Sequence, residues 1–347
     1  MGWTHEVYSY ADVRDSEPFL SRARLRPEEA RSIGSHPHAL PTDLAGVLLV
    51  RDGATIGSIR LISGLVRIGQ NDHPLSWTST WEFVGRPEDS PGAGLMIARA
   101  LEEAGSLAAC GLAARSREIF RFLRFEEIVL SRWLLVVRSR PLLARRLPRV
   151  LASALSLPVD MALWSRRRLA QGSSADGLML ERIARFDERM DAIDVASRGP
   201  LWFPRDHREL NWAIDSPWST DPSYRYQAFY LRSTAGAVGY ALTRMRSIDG
   251  ANVGSVLRLG ALPDHATRLA LVSLVVDALV AAGSDVVEIC STRAWVTDAA
   301  RRVGLTHRGG IELMARFAAP AVGAMRDHGI AFTEAEADLG EGDLLFF

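Results

Sequence analysis

The feature that most restricts this chain is an order of elements that occurs twice. Residues 45–50 are an apolar run of strand formers, Asp52-Gly53 is a strong hairpin signal, and residues 55–62 read as the partner strand. More strand-forming sequence surrounds residues 77–84. A polar loop with proline and glycine, residues 86–94, comes next. Leu95, Met96, Ala98, Leu101 and Ala104 then recur with the period of about 3.6 residues that marks a helix. Residues 107–112 read as a short strand, 115–123 as a helix and 128–137 as a strand. The second half repeats this order. After a candidate first strand at 179–184 come a hairpin (227–232 and 238–246), a strand (253–259) and an apolar helix (266–282). A strand (286–290), a helix (295–303) and a strand (312–317) complete it.

Repetition at half the chain length predicts two units of one fold, and 347 residues exceed one ordinary hydrophobic core. The expected class is α/β, of the α+β mixed-sheet kind. Each unit would be a mixed, mostly antiparallel sheet flanked by helices. The units are expected at 1–170 and 178–347, joined across the polar stretch 171–177. Before that stretch, residues 141–168 are rich in arginine, with Leu142, Leu143, Leu147, Val150, Leu151 and Leu155 at helical spacing. Two readings fit: a bridging helix packed on the core, or a helix lying on a membrane surface.

Composition removes several classes of chemistry. The chain has no lysine, so all 41 basic residues are arginine. A lysine Schiff base, a lysine-anchored pyridoxal enzyme, a P-loop and a kinase are therefore excluded. The 41 acidic residues balance the charge, and no basic excess points to nucleic acid. Cys110 and Cys290 end apolar runs and read as buried thiols, not a disulfide framework, which fits a cytoplasmic protein. No signal peptide and no integral membrane span are expected. His36 and His38 are close in sequence but lack a third ligand, so no metal site is expected.

The segment Gly92-Ala93-Gly94, set between a strand and a helix, resembles the glycine-containing loop of the GNAT acyltransferase superfamily. The resemblance implies an acyl-CoA co-substrate, acetyl-CoA or another, with its pyrophosphate at this loop. It places Val84, Gly85, Gly92, Ala93, Gly94 and Leu95 at the cofactor. The physical reason is general: glycines let N–H groups approach phosphate, and a helix N-terminus favours negative charge. The chain departs from the family at three positions. Asp89 stands where an arginine or glutamine is usual, Pro91 removes an amide, and Phe120 replaces a tyrosine that protonates the leaving thiolate in many members. The second half is also GNAT-like, but residues 260–265 contain no such glycine pair.

Residues 205–212 and 222–224 resemble tandem GNAT proteins encoded with bacterial polysaccharide and natural-product pathways. Arg205, Asp206, Glu209, Asn211, Trp212 and Tyr224 are the acceptor candidates from these segments. The alternative is a core Trp212 with Arg205 and Asp206 as a helix cap and ion pair.

N-acylation needs a base for the amine and donors for the carbonyl oxygen. The resemblance implies Glu82 as base and amides near Val84 and Gly85 as oxyanion donors. Glu82 also reads as an outward-facing polar residue of an alternating strand. The expected function is acyl transfer to a small amine, such as an amino sugar or natural-product intermediate, by direct attack on the thioester. The rivals are a Fem-type aminoacyl-tRNA-dependent transferase and a non-catalytic GNAT-like scaffold.

Overall fold

The structure, a computed structural model, describes residues 2–15, 17–23, 25–170, 177–216 and 224–338. Thirteen strands form one sheet. In the first half they are β1 (Trp3–Ser9), β2 (Leu44–Arg51), β3 (Ala54–Ile68), β4 (Asn71–Phe83), β5 (Leu107–Cys110) and β6 (Glu126–Val136). In the second they are β7 (Met179–Ile183), β8 (Leu201–Trp202), β9 (Tyr224–Ser233), β10 (Gly236–Ile248), β11 (Ala251–Ala261), β12 (Val286–Ser291) and β13 (Thr306–Arg316). The sheet is mixed, as expected: only β4 with β5 and β11 with β12 run parallel. The Asp52-Gly53 turn forms where the sequence puts it, and Asp249-Gly250 makes a matching turn in the second half. Asp52 and Gly53, like Asp249 and Gly250, have positive φ, the backbone a two-residue hairpin turn requires.

The centre of the sheet departs from two separate units. Its order there is β5-β13-β6-β12, so strands of the two halves alternate. β13 pairs with β5 through residues 313–316 and with β6 through residues 306–315. β6 pairs in turn with β12 through residues 131–136. Each half therefore inserts its last strand into the other's ladder. β8 adds a second link by pairing with the end of β3. The main apolar cluster is shared accordingly, with Trp77 and Leu130 packed among Phe203, Leu313 and Phe332. The join expected at 171–177 falls almost wholly outside the described residues.

Helices cover both faces. Ser90–Ala104 and Ala114–Phe122 pack on one face of the first half through Met96, Ile97 and Phe120. Tyr10–Asp15 and Pro27–Gly34 pack on the other through Val13 and Ile33. The arginine-rich stretch is two helices, Arg140–Leu143 and Arg149–Ala170, broken where Leu147-Pro148 intervenes. Leu142, Leu143 and Leu147 are half-buried, but Val150, Leu151 and Leu155 are exposed. The bridging-helix reading therefore fails for that face.

The helix Ala114–Phe122 ends in the same motif as its counterpart Ala294–Arg302. Phe125 N–H donates to the Phe120 carbonyl, as Leu305 N–H does to Ala300. The left-handed residue is Gly304 in the second half but Arg124, with φ of 61°, in the first. That backbone costs a non-glycine residue roughly 1–2 kcal/mol, partly offset by the lower unfolded-state entropy of arginine. Arg124 is exposed and makes no hydrogen bond or ion pair through its side chain among the described residues. Arg124→Gly is expected to raise the free energy of unfolding in urea by about 0.5–1 kcal/mol. A loss of stability would show that this backbone is not strained.

Candidate functional site

The site begins at a bulge. Arg60 of β3 faces Thr80 and Leu61 faces Thr78, so Ser79 is an extra residue in β4. A bulge bends its strand and reverses which face later side chains take. β5 pairs with β4 only at Ser76 and Trp77, before the bend. Beyond it, β4 continues to Phe83 without a strand partner on that side among the described residues. Trp81 and Phe83 turn toward the helices, and with Gly85, Ser90, Gly94 and Ser116 they line a cavity of about 430 Å³.

The glycine loop is arranged to receive an anion. Asp89 is buried and turned away, its carboxylate paired with Arg51 and accepting Arg86 N–H at 3.2 Å. The unfavourable carboxylate of the loop is thus neutralised inside the protein. Pro91 lies in the first turn of the helix Ser90–Ala104, where its missing N–H breaks no helical bond. Arg115 stands across the cavity and donates to Ser90 Oγ at 3.2 Å, a cation beside the helix N-terminus. Trp81 Nε1 is buried with no hydrogen-bond partner among the described residues. An anionic ligand with polar groups suits this lining.

The predicted cofactor residues separate. Gly85, Ala93 and Gly94 line the cavity. Gly94 is open: an added Cβ would meet only Ile119, at 3.9 Å. Gly92 faces inward, where a Cβ would come within 3.0 Å of the Trp3 ring and 3.1 Å of Leu49. It is glycine for packing. Leu95 and Val84 are exposed, and Val84 borders a small hollow on the opposite face. Val84 N–H donates to the Ile56 carbonyl at 2.9 Å, so that amide belongs to the hairpin. Successive strand amides point to opposite sides, which turns Phe83 N–H toward the gap that β5 has left.

Glu82 shares the face of that hollow, opposite Trp81 and Phe83. Its side chain is 46% exposed, with Arg60 Nη2 at 3.9 Å. Phe120 is fully buried, its ring 4.6 Å from that of Phe125, and it does not line the cavity. Ser116, one helical turn earlier, does. Neither Arg115 nor Ser116 was marked by a sequence motif; the helical spacing back from Phe120 was the available signal.

The second half repeats the bulge and closes the gap. Leu242 of β10 faces Arg258 and Thr243 faces Val256, leaving Leu257 as the extra residue of β11. The parallel ladder of β11 with β12, residues 253–256, likewise stops before the bulge, and the closure comes from side chains. Arg293 N-caps the next helix, where the first half has Ala113. Its buried guanidinium donates to the Leu259 carbonyl at 2.8 Å. Asp338 holds that cation at 3.7 Å and bridges to Ser291 at the end of β12. Side chains and the C-terminal segment therefore fill what remains open in the first half.

The second-half acceptor candidates also separate. Asp206 caps the helix His207–Ile214, accepting Glu209 N–H at 2.9 Å, and pairs with His38 at 3.0 Å. Burial opposes its ionisation, but the bonds from His38 and Arg208 prevail and keep its pKa below the usual carboxylate range. With Glu209, Asp12, Asp43 and Glu103 it lines a cavity of about 870 Å³, at the opposite end of the β3–β4 hairpin from the glycine loop. Arg205 is buried and ion-paired with Glu209; burial and the neighbouring Arg258 lower its pKa to about 9. Asn211 exchanges two 2.9 Å bonds with the Phe186 backbone. Trp212 donates to the Ser32 carbonyl at 2.7 Å and meets the His36 ring at 4.4 Å, joining the halves. The side chain of Tyr224 lies outside the described residues. Among the described residues no cluster of metal-ligating side chains occurs, and no helix is long and apolar enough to cross a membrane.

The fold is similar to that of solved GNAT-type N-acetyltransferases. No family model and no curated protein matches the chain. Solved structures do. A GCN5-related N-acetyltransferase from Anabaena variabilis has 11% identity and a TM-score of 0.57, over 91% of this chain and 73% of that one. Eis1 from Mycobacterium abscessus has 14% identity and a TM-score of 0.53, over 90% and 73%. Saccharomyces cerevisiae N-myristoyltransferase, solved with myristoyl-CoA bound, has 12% identity and a TM-score of 0.53, over 90% and 82%. At these identities the likeness is one of fold.

The contact between the halves carries a pH dependence. Burial lowers the pKa of His36 to about 3, with the Arg205 cation next in effect. In the unfolded chain a histidine titrates near about 6.5, so the unfolded state takes up the proton first as pH falls. The stabilisation is complete above that pH and is lost on going down toward the folded value, by up to about 1.4 kcal/mol per unit. His36→Asn keeps an acceptor for the His38 N–H and removes the titration. The variant should lose less stability than the parent between pH 7 and pH 5, measured by urea unfolding. Equal losses would clear His36 of this role.

Proposed function

We propose that the protein is an acyl-CoA-dependent N-acyltransferase whose acceptor is a small amine. The observation that carries this reading is the splay of β4 from β5 at Ser79, opening a cavity between a helix N-terminus and Arg115. The lining fits the phosphates and pantetheine of a coenzyme A thioester. Gly94 leaves room, the helix amides and Arg115 supply positive charge, and Trp81 and Phe83 supply apolar wall. When bound, acyl-CoA supplies the activated acyl carbon, and acetyl is the acyl group we favour.

The residues would then divide the work by face. Phe83 N–H is directed to hold the carbonyl oxygen as it gains charge. Glu82, on the other face of β4, is placed to take the proton that the attacking amine gives up. Donor and acceptor would meet at the bent strand from opposite sides, with no acyl-enzyme intermediate. Ser116 is the cavity hydroxyl that can hydrogen-bond the departing sulfur, since Phe120 cannot. The acceptor would be a small amine such as an amino sugar or a natural-product intermediate; the carboxylates about Asp206 lie at the other end of the β3–β4 hairpin from Glu82 and take no part in that step.

Calorimetric titration with acetyl-CoA should show binding. Arg115→Ala is expected to weaken it about fivefold to tenfold, from one lost charge-assisted contact. Gly94→Glu should abolish it, because the site would gain a negative charge. Glu82→Gln should leave donor affinity unchanged and lower kcat by about a hundredfold, the usual contribution of a positioned base. Absence of binding to acetyl-CoA and to longer acyl-CoAs would overturn the reading.

A further inference from the structure

The helix Arg149–Ala170 has its polarity inverted. Its inward arc is narrow and made largely of small or polar residues: Ala152 is buried, Ser156 is half-buried, and Asp160 accepts Ser139 N–H at 2.7 Å. The outward arc carries Val150, Leu151, Leu155, Leu157, Met161 and Trp164. Val150 is 80% exposed, Leu157 68% and Met161 63%, so this face is not core. At 1.5 Å per residue the helix is about 33 Å long, and such a continuous apolar face on a soluble surface marks a contact with something else.

The charge around it identifies the partner. Residues 138–168 hold eight arginines and one carboxylate, Asp160, in a chain whose overall charge is zero. Arg138 pairs with Asp285 and Arg145 with Asp249. Arg146 and Arg149 are exposed at one end of the helix with no carboxylate partner among the described residues, and the sequence sets three more arginines at 166–168 near the other. Basic ends make a second copy of this chain a poor partner, because parallel and antiparallel pairing both bring arginines together. They suit a surface that is negative everywhere and apolar beneath. We propose that this helix lies on an anionic phospholipid bilayer, its apolar face in the headgroup boundary and its arginines among lipid phosphates. The protein would then be held at a membrane surface without spanning it.

Co-sedimentation of the whole protein with vesicles tests this. Phosphatidylcholine vesicles containing phosphatidylglycerol should bind at least about tenfold more protein than phosphatidylcholine alone, and salt should weaken the binding. Leu157→Glu with Met161→Glu should reduce binding to the phosphatidylcholine level without lowering the thermal midpoint, since both residues are exposed. Arg146→Glu with Arg149→Glu should remove the preference for anionic vesicles. Equal binding by parent and Leu157→Glu/Met161→Glu protein, or no binding to anionic vesicles, would overturn the proposal. A parent dimer that this double variant turns into a monomer in sedimentation velocity would also overturn it, and would assign the face to a second copy.

Discussion

The ladder β5-β13-β6-β12 holds the molecule together, because neither half can complete its hydrogen bonds without a strand of the other. Unpaired backbone groups inside a sheet are costly, and an open edge invites aggregation. Exchanging strands removes both problems at once. It also makes the apolar core common property: Met314 of β13 packs among the first half's residues, and Leu135 of β6 among the second's. Contacts far from the sheet follow. The Trp212 bond to Ser32 and the pairing of β8 with β3 can persist because the sheet already fixes the relative placement of the halves.

Within that frame one backbone device is used twice with opposite results. Ser79 and Leu257 are each the extra residue of a strand that precedes a parallel neighbour. After Ser79 the neighbouring ladder stops and a cavity opens. After Leu257 the parallel ladder also stops, its last pair being Val256 with Ile289, but there Arg293 donates to the Leu259 carbonyl and fills the opening. A buried guanidinium is tolerable only if its charge is met, and Asp338 and Glu336 meet it at 3.7 Å each. Removing one partner of such a pair typically costs about 3–5 kcal/mol, because it strands the other charge in the interior. The second cleft is therefore closed by interactions on which the fold relies.

How much of this could be read from the sequence depends on how local each cause is. Asp52-Gly53 and the helix after Gly94 are set by neighbouring residues, and both lie where expected. The strand exchange is not local: β6 and β13 look alike as strands whichever partner they choose. A bulge at Ser79 has no residue signature, since serine is compatible with many backbones. Gly92 and Asp89 show a subtler limit. Both read as loop residues that bear on phosphate, yet Gly92 is small because Trp3 and Leu49 press on it, and Asp89 is harmless because Arg51 holds it. The controlling partners are some forty or more residues away. The apolar spacing of 142–155 was legible as a helix, but periodicity does not say which side of an amphipathic helix meets the protein.

The absence of lysine acquires structural meaning in this light. Several of the most buried side chains are arginines, and each reaches more than one element. Arg258 donates to the Phe203 carbonyl at 3.0 Å and contacts Asp194 at 3.3 Å, which also receives the Tyr240 hydroxyl. Arg293 joins Leu259 to the C-terminal segment. A guanidinium can do this because its donors spread in a plane over several directions and it stays charged when dehydrated. An ammonium is a point charge that burial more readily neutralises. Arg205 illustrates the margin: burial lowers its pKa to about 9, yet it remains protonated at neutral pH. A lysine starts from a lower pKa, so the same burial would weaken the pair with Glu209 more. A sheet interleaved from two halves buries polar links where they meet, and arginine is the cation that keeps them intact.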